Sequence, residues 1–202
     1  SSAATVFDGI AFPGGLASFA DAVVSTTDGL PDVVSVNFDD PDATLGAPDY
    51  VQGTPDTAFS LMEGGSITLQ FTDNALTGSD SDALDLHVFE VGPATEDTFV
   101  AISVDGVDFL EVGKVFGSTA SIDIDPYLEA AGIDNFTAFS FVRLTDDAAN
   151  AGSNGTGTPG ADIDSVAAIT STAPAMAAVP LPGAGVLMLA GLGGLALARR
   201  KR

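Results

Sequence analysis

Between Thr5 and Ile169, short runs rich in Val, Ile, Thr and Phe are broken about every 8 to 12 residues by Gly, Asp, Asn or Pro. Helices need longer uninterrupted stretches, so this rhythm confines the chain to an all-β sandwich or barrel. "GGSITLQFTDN" alternates Ile67, Leu69 and Phe71 with Ser66, Thr68, Gln70 and Thr72, the pattern of a strand half-buried on a core. "ALDLHVFEVG" sets Leu84, Leu86 and Val88 against Asp85, His87 and Phe89, a mixed pattern that suits a strand covered on both faces. In "FVAISVDGVDFLEVG" two strands flank Asp105-Gly106, residues that accept the positive φ of a two-residue hairpin turn. "FTAFSFVRLTD" and "ADIDSVAAIT" supply two more strands, and only "DPYLEAAGI" reads as helical, a short segment stopped at Gly132.

No cysteine is present, so no disulfide framework supports the fold and the sheet core must do so alone. The length suits one domain over 1–170, followed by the small-residue linker "STAPAMAA" at 171–178 and a distinct segment at 179–202. All 28 acidic residues precede Val179, against only Lys114 and Arg143, which leaves that part of the chain at a formal −26. Such a charge repels phosphate backbones and anionic lipid, which argues against nucleic acid as a partner and favours cations.

The last segment is the opposite in character. Leu181 to Ala198 are 18 uncharged residues, about 27 Å as a helix at 1.5 Å per residue and close to the roughly 30 Å of a bilayer core. Pro180 and Pro182 mark where a helix can begin, and Arg199, Arg200, Lys201 and Arg202 form a basic stop on the cytoplasmic side. The motif Val179-Pro180-Leu181-Pro182, the Gly/Ala/Leu stretch and the basic cluster together resemble the VPLPA variety of the PEP-CTERM sorting signal, with Gly183 where that family often has Ala. The resemblance implies export in a Gram-negative bacterium, transient anchoring in the inner membrane, cleavage by an exosortase-like enzyme, and association with exopolysaccharide and biofilm matrix. A plain anchor that is never cut fits the same hydropathy. "SSAAT" at the start reads like the residue of signal-peptide removal, which points the same way.

The hairpin "ISVDGVDFLEVG" resembles the S-x-D-G-x-x-F-x-x-V hairpin of galactose-binding-like, discoidin-type β-sandwiches, jelly rolls that include many carbohydrate-binding modules. "ADIDSVAAI" is similar to their closing strand, where an Asp often helps to hold a structural calcium. The succession "LGAPD … GGSITLQFTDN … DLHVFEVG … SVDG" also resembles exported PEP-CTERM proteins with such a sandwich. The implied architecture is an antiparallel jelly-roll sandwich plus one C-terminal hydrophobic helix.

Acidic groups are the candidate chemistry. Asp39, Asp40, Asp42 and Asp49 lie in one long loop, Asp80, Asp82 and Asp85 form a second group, and Asp146, Asp147, Asp162 and Asp164 flank a glycine-rich loop. Calcium takes six to eight oxygens, which loops at one end of a sandwich can supply, although none of these groups has the Asp-x-Asp-x-Asp-Gly spacing. For any one group a solvated, charged surface is the simpler use. Asp164 is the favoured calcium ligand, since strand alternation puts it on the face of Val166 and Ala168, where a carboxylate needs a partner; Asp49 and Asp42 are its companions.

His87, the single histidine, stands two residues from Asp85, as in an Asp–His base pair, but no nucleophile or metal partner is singled out, so a structural role is expected. Arg143 shares a face with Phe139 and Phe141, and an internal ion pair is its expected use. Tyr50 and Tyr127 are the only tyrosines and Trp is absent, which weighs against a broad sugar-stacking platform. The expected function is therefore a non-catalytic, calcium-assisted binding or scaffolding module at the cell surface or in the extracellular matrix, with polysaccharide or copies of itself as partners. The alternatives are a self-assembling subunit that exchanges the apolar stretch "TVFDGIAF", and a carbohydrate-active enzyme.

Overall fold

A computed structural model describes residues 3–30, 37–92, 96–117, 119–149 and 158–174. The residues read as a sorting signal, Val179 to Arg202, with the expected helix, lie outside the described residues, as does the second half of the expected linker. Among the described residues, no helix is long and apolar enough to cross a membrane.

The elements in chain order are β1 (Thr5–Phe7), β2 (Ile10–Phe12), β3 (Ala22–Thr27), β4 (Phe59–Ser60), β5 (Ser66–Gln70), β6 (Ala75–Leu76) and β7 (Leu86–Glu90). β8 (Asp97–Ser103), β9 (Leu110–Phe116), β10 (Thr119–Ile122), α1 (Asp125–Ala131), β11 (Phe141–Asp146), β12 (Asp162–Ala168) and β13 (Ser171–Thr172) follow. Two antiparallel sheets form a sandwich: one of five strands in the order β3-β5-β11-β8-β9, and one of four in the order β10-β7-β12-β4. The core lies between them, where Ile67, Leu69, Val142 and Ile102 of the first sheet meet Leu86, Val88, Ile163 and Val166 of the second.

The four-stranded sheet is covered on its outer face as well. The hairpin of β1 and β2 folds over it, so that Phe12 and Phe19 pack with Phe89 and Ala167 in a second, smaller core. This is why all five residues of β7 are buried, as its mixed pattern predicts. It also occupies the stretch considered for strand exchange: "TVFDGIAF" is a folded hairpin whose Phe12 has no exposed surface.

Two local expectations are corrected. The connection between β8 and β9 is six residues long, Val104 to Phe109, because the Asp105 carboxylate accepts the N–H groups of both Val107 (2.9 Å) and Asp108 (3.0 Å) and holds a wider turn. Leu84, placed with Leu86 and Val88 by alternation, is 48 % exposed, because β7 starts only at Leu86. The short helix is as read: α1 ends at Gly132, whose φ of 69° lets Gly132 N–H reach Glu129 O and Ile133 N–H reach Leu128 O.

Candidate metal centre

The predicted ligand Asp164 faces away from Val166 and Ala168. A one-residue irregularity between Ile163 and Ser165 breaks the register of β12 against β7, so Ile163 and Val166 both enter the main core, which unbroken alternation forbids. Asp164 is thereby turned toward the loop that follows the 3-10 turn at Pro41–Thr44, and its Oδ1 accepts the N–H of Asp49 at 3.1 Å. Burial, only partly offset by the bonds from Asp49 and Tyr50, pushes its pKa up to about 6. Asp49 and Asp42 are exposed, and Asp42 donates its N–H to Asp40 at the start of the 3-10 turn. The structure therefore joins Asp164 to Asp49 through the backbone of Asp49 and leaves Asp42 on the surface.

A different set of carboxylates converges. Among the described residues, Asp85, Asp123 and Asp125 form the one group of three potential metal ligands in which one oxygen of each lies within 4.8 Å of those of the other two. The local sequence explains why. Ile122 and Ile124 are buried in the main core, so alternation turns Asp123 outward at the end of β10, and Asp125 follows at the start of α1. Asp85 precedes β7, which pairs with β10, and its Oδ2 accepts Ile124 N–H at 3.1 Å, which fixes the two segments side by side.

The electrostatics of this trio are unbalanced. Asp85 has no exposed surface and Asp125 is 8 % exposed, yet among the described residues Asp85 Oδ1 and Asp125 Oδ1 find no hydrogen-bond partner. The other oxygen of Asp125 is fully engaged, accepting from Ser79 N–H (3.2 Å), Ser79 Oγ (3.1 Å) and Ser81 N–H (3.0 Å). Gly78 makes room for this arrangement, since a Cβ there would fall 1.8 Å from Asp125 Oδ1. Burial raises the pKa of Asp85, and the neighbouring Asp125 adds to the rise. At an effective dielectric of about 20, two carboxylates 4.8 Å apart repel by roughly 3.5 kcal/mol, so three such groups call for a cation or a proton among them.

The oxygen-only donor set suits a hard cation such as calcium or magnesium better than zinc or copper, which favour nitrogen and sulfur ligands. At calcium–oxygen distances of 2.3–2.6 Å, two ligands on opposite sides of one ion stand up to about 5 Å apart, which matches the observed spread, whereas the shorter magnesium distances require contraction. Asp123 and Asp125 also form the floor of an open cleft of about 770 Å³ that continues over the loop at Asp80–Asp82 and the residues after α1. Of the trio, sequence reading singled out Asp85 but missed Asp123 and Asp125; the available signal was "IDID", two buried isoleucines alternating with two acids.

His87 is not paired with Asp85. It is buried on the outer face of β7, edge-on to Phe89 at 4.4 Å, with Nδ1 bonded to Ser121 Oγ, and burial holds its pKa down at about 4. Among the described residues Arg143 makes no ion pair: its guanidinium lies 3.7 Å over the Phe109 ring and Nε donates to Thr68 Oγ1. The ion pairs among the described residues belong to Lys114, with Asp97 at 3.3 Å and with Asp147.

No protein-family model matches the sequence, and no curated protein matches it. Among solved structures, the C-terminal domain of a chitobiase from Bacteroides fragilis is 12% identical, with a TM-score of 0.43 over 75% of this chain and 93% of that one. The CBM32 of AlyQ, in complex with 4,5-unsaturated mannuronic acid, is 15% identical, with a TM-score of 0.41 over 74% and 96%. CpGH89CBM32-6 from Clostridium perfringens is 12% identical, with a TM-score of 0.35 over 55% and 72%.

Proposed function

We propose that this chain is an exported, non-catalytic binding module of the bacterial cell surface or matrix that takes calcium at Asp85, Asp123 and Asp125 and a polysaccharide in the cleft above them. The observation that carries the metal is the pair of buried, unpartnered oxygens, Asp85 Oδ1 and Asp125 Oδ1, in a trio confined within 4.8 Å. A folded protein leaves such groups unsatisfied at a cost of several kcal/mol unless an ion or proton joins them. Delivery to the surface rests on the VPLP motif and basic terminus, and exosortase-like processing follows from the same residues.

The test is the melting temperature of the full chain in calcium and in chelator. Calcium at a hundredfold excess over Kd adds about 2.7 kcal/mol, a rise of roughly 5–10 °C at this size. Asp85→Asn and Asp125→Asn abolish the rise, while Asp164→Asn keeps it. No rise, together with no stoichiometric calcium uptake by calorimetry, defeats the proposal.

A further inference from the structure

At one end of the sandwich the inward faces of both sheets run out in acids. Strand alternation puts Glu90 on the face of Leu86 and Val88 in β7, and Asp146 on the face of Val142 and Leu144 in β11. Glu96, just before β8, extends the face of Val100 and Ile102 in the same way. All three are buried, at 4 %, 2 % and 6 % exposed. β7 belongs to the four-stranded sheet and β8 and β11 to the five-stranded one, so these carboxyls meet in the gap that apolar side chains fill elsewhere.

Two of the acids at this end are met by ordinary donors. Asp146 accepts Gly64 N–H at 2.9 Å and Ala161 N–H at 3.0 Å, and Asp162, at the start of β12, is met by the Ser60 and Thr158 hydroxyls. Glu90 is different: both its carboxyl oxygens are sealed from solvent, and the Glu96 carboxyl faces it within hydrogen-bonding reach. Two carboxyls bond to each other only while one of them keeps a proton. Burial, the Glu96 carboxyl and the charge of Asp162 outweigh the Glu96 N–H and push the Glu90 pKa up to about 9.

No basic side chain answers this pair among the described residues. Lys114 pairs with Asp97 and Asp147, Arg143 lies over Phe109, and Glu63, beside Gly64, is exposed. Nor does a third carboxyl oxygen there come within 4.8 Å of both, so the geometry supports a proton as the bridge in preference to a metal ion.

We propose that Glu90 and Glu96 share one proton and act as a pH-operated clasp between the two sheets, closed while the proton is held and opened locally when it leaves. On release the proton passes to water and two buried carboxylates remain face to face, which are hydrated only if the sheets part at that end. Asp85 precedes the opposite end of β7, so the clasp works without the calcium ion and stands or falls separately from the proposed function.

The test uses the full chain in chelator, with NMR of labelled glutamate carboxyls and amide hydrogen exchange corrected for its intrinsic pH dependence. One glutamate carboxyl holds its proton to about pH 9. From about pH 7 to about pH 9.5, the amides of Val91 and Asp146, bonded to Asp162 O and Gly65 O, lose at least about tenfold in protection. The amides of Leu76 and Phe139, bonded to each other's carbonyls away from this end, keep theirs. Glu90→Gln and Glu96→Gln each put an amide hydrogen where the proton was, so each removes the late titration and keeps the end closed at about pH 9.5. Titration of every glutamate below about pH 6 overturns the inference. So does a late titration that survives Glu96→Gln, or a loss of protection that is equal at both ends.

Discussion

Asp164 holds Asp49: its Oδ1 accepts the Asp49 N–H at 3.1 Å, bridging a central strand of one sheet to a long surface loop more than a hundred residues away. The carboxylate acts as a backbone clamp, and at neutral pH its own ionisation is opposed by burial and by the charges of Asp49 and Asp8. Asp164→Ala leaves the Asp49 amide without its partner and is expected to cost about 1–3 kcal/mol. Asp164→Asn keeps an acceptor oxygen and is expected to lie within about 0.5 kcal/mol of the parent at pH 7. Urea denaturation of both variants checks this, and a larger loss for Asn than for Ala contradicts the clamp.

Stability should rise on mild acidification. Burial raises several carboxyls above their ordinary values, among them Asp73, Asp85 and Asp146, and furthest Glu90, to about 9, Asp162, to about 7, and Asp164, to about 6. A carboxyl with a raised pKa in the folded state favours folding when protonated, so its contribution is complete below the unfolded value and is lost as pH climbs to the folded one. His87 runs the other way: with its pKa depressed to about 4, its contribution is present above 6.5 and is lost as pH falls from there toward 4. Between pH 9 and 6.5 the carboxyls act alone, and the melting temperature in chelator should increase by at least about 3 °C as pH is lowered across that window. A flat or declining profile there contradicts these burial effects.

Glu90 should dominate that profile. It is 4 % exposed, burial opposes its ionisation most, and the Glu96 side chain and the charge of Asp162 oppose it further. Glu90→Gln keeps the shape and removes the ionisation, so the variant should match or exceed the parent's melting temperature at pH 8.5 and show a much flatter slope. An unchanged slope assigns the pH dependence to other groups.

Gly78→Ala should disturb the trio without touching a ligand. The added Cβ falls 1.8 Å from Asp125 Oδ1, so the Asp125 side chain must leave the position fixed by Ser79 and Ser81. The expected cost is about 1–3 kcal/mol, accompanied by a smaller calcium-induced rise in melting temperature. Gly117→Ala, at a site with open space around the Cβ, serves as the control for general backbone effects. Equal calcium responses in the two variants contradict the placement of Asp125.

Strands β5, β7, β8, β9, β11 and β12, the short helix α1 and the doubly covered β7 were legible in the sequence, because each depends on residues within reach along the chain: Ile67 and Leu69 alternate, Gly132 stops α1, and the mixed faces of "LHVFE" announce two cores. The charge split was equally legible. The grouping of acids was not. One extra residue in β12 turned Asp164 away from the core, and no composition or period reports a bulge in advance. Asp85 meets Asp123 and Asp125 only because β7 pairs with β10 in one particular register, a contact between segments almost forty residues apart. Local spacing decides which way each side chain points from its strand; which carboxylates share a site is decided by pairing across the sheet, and that requires the folded chain.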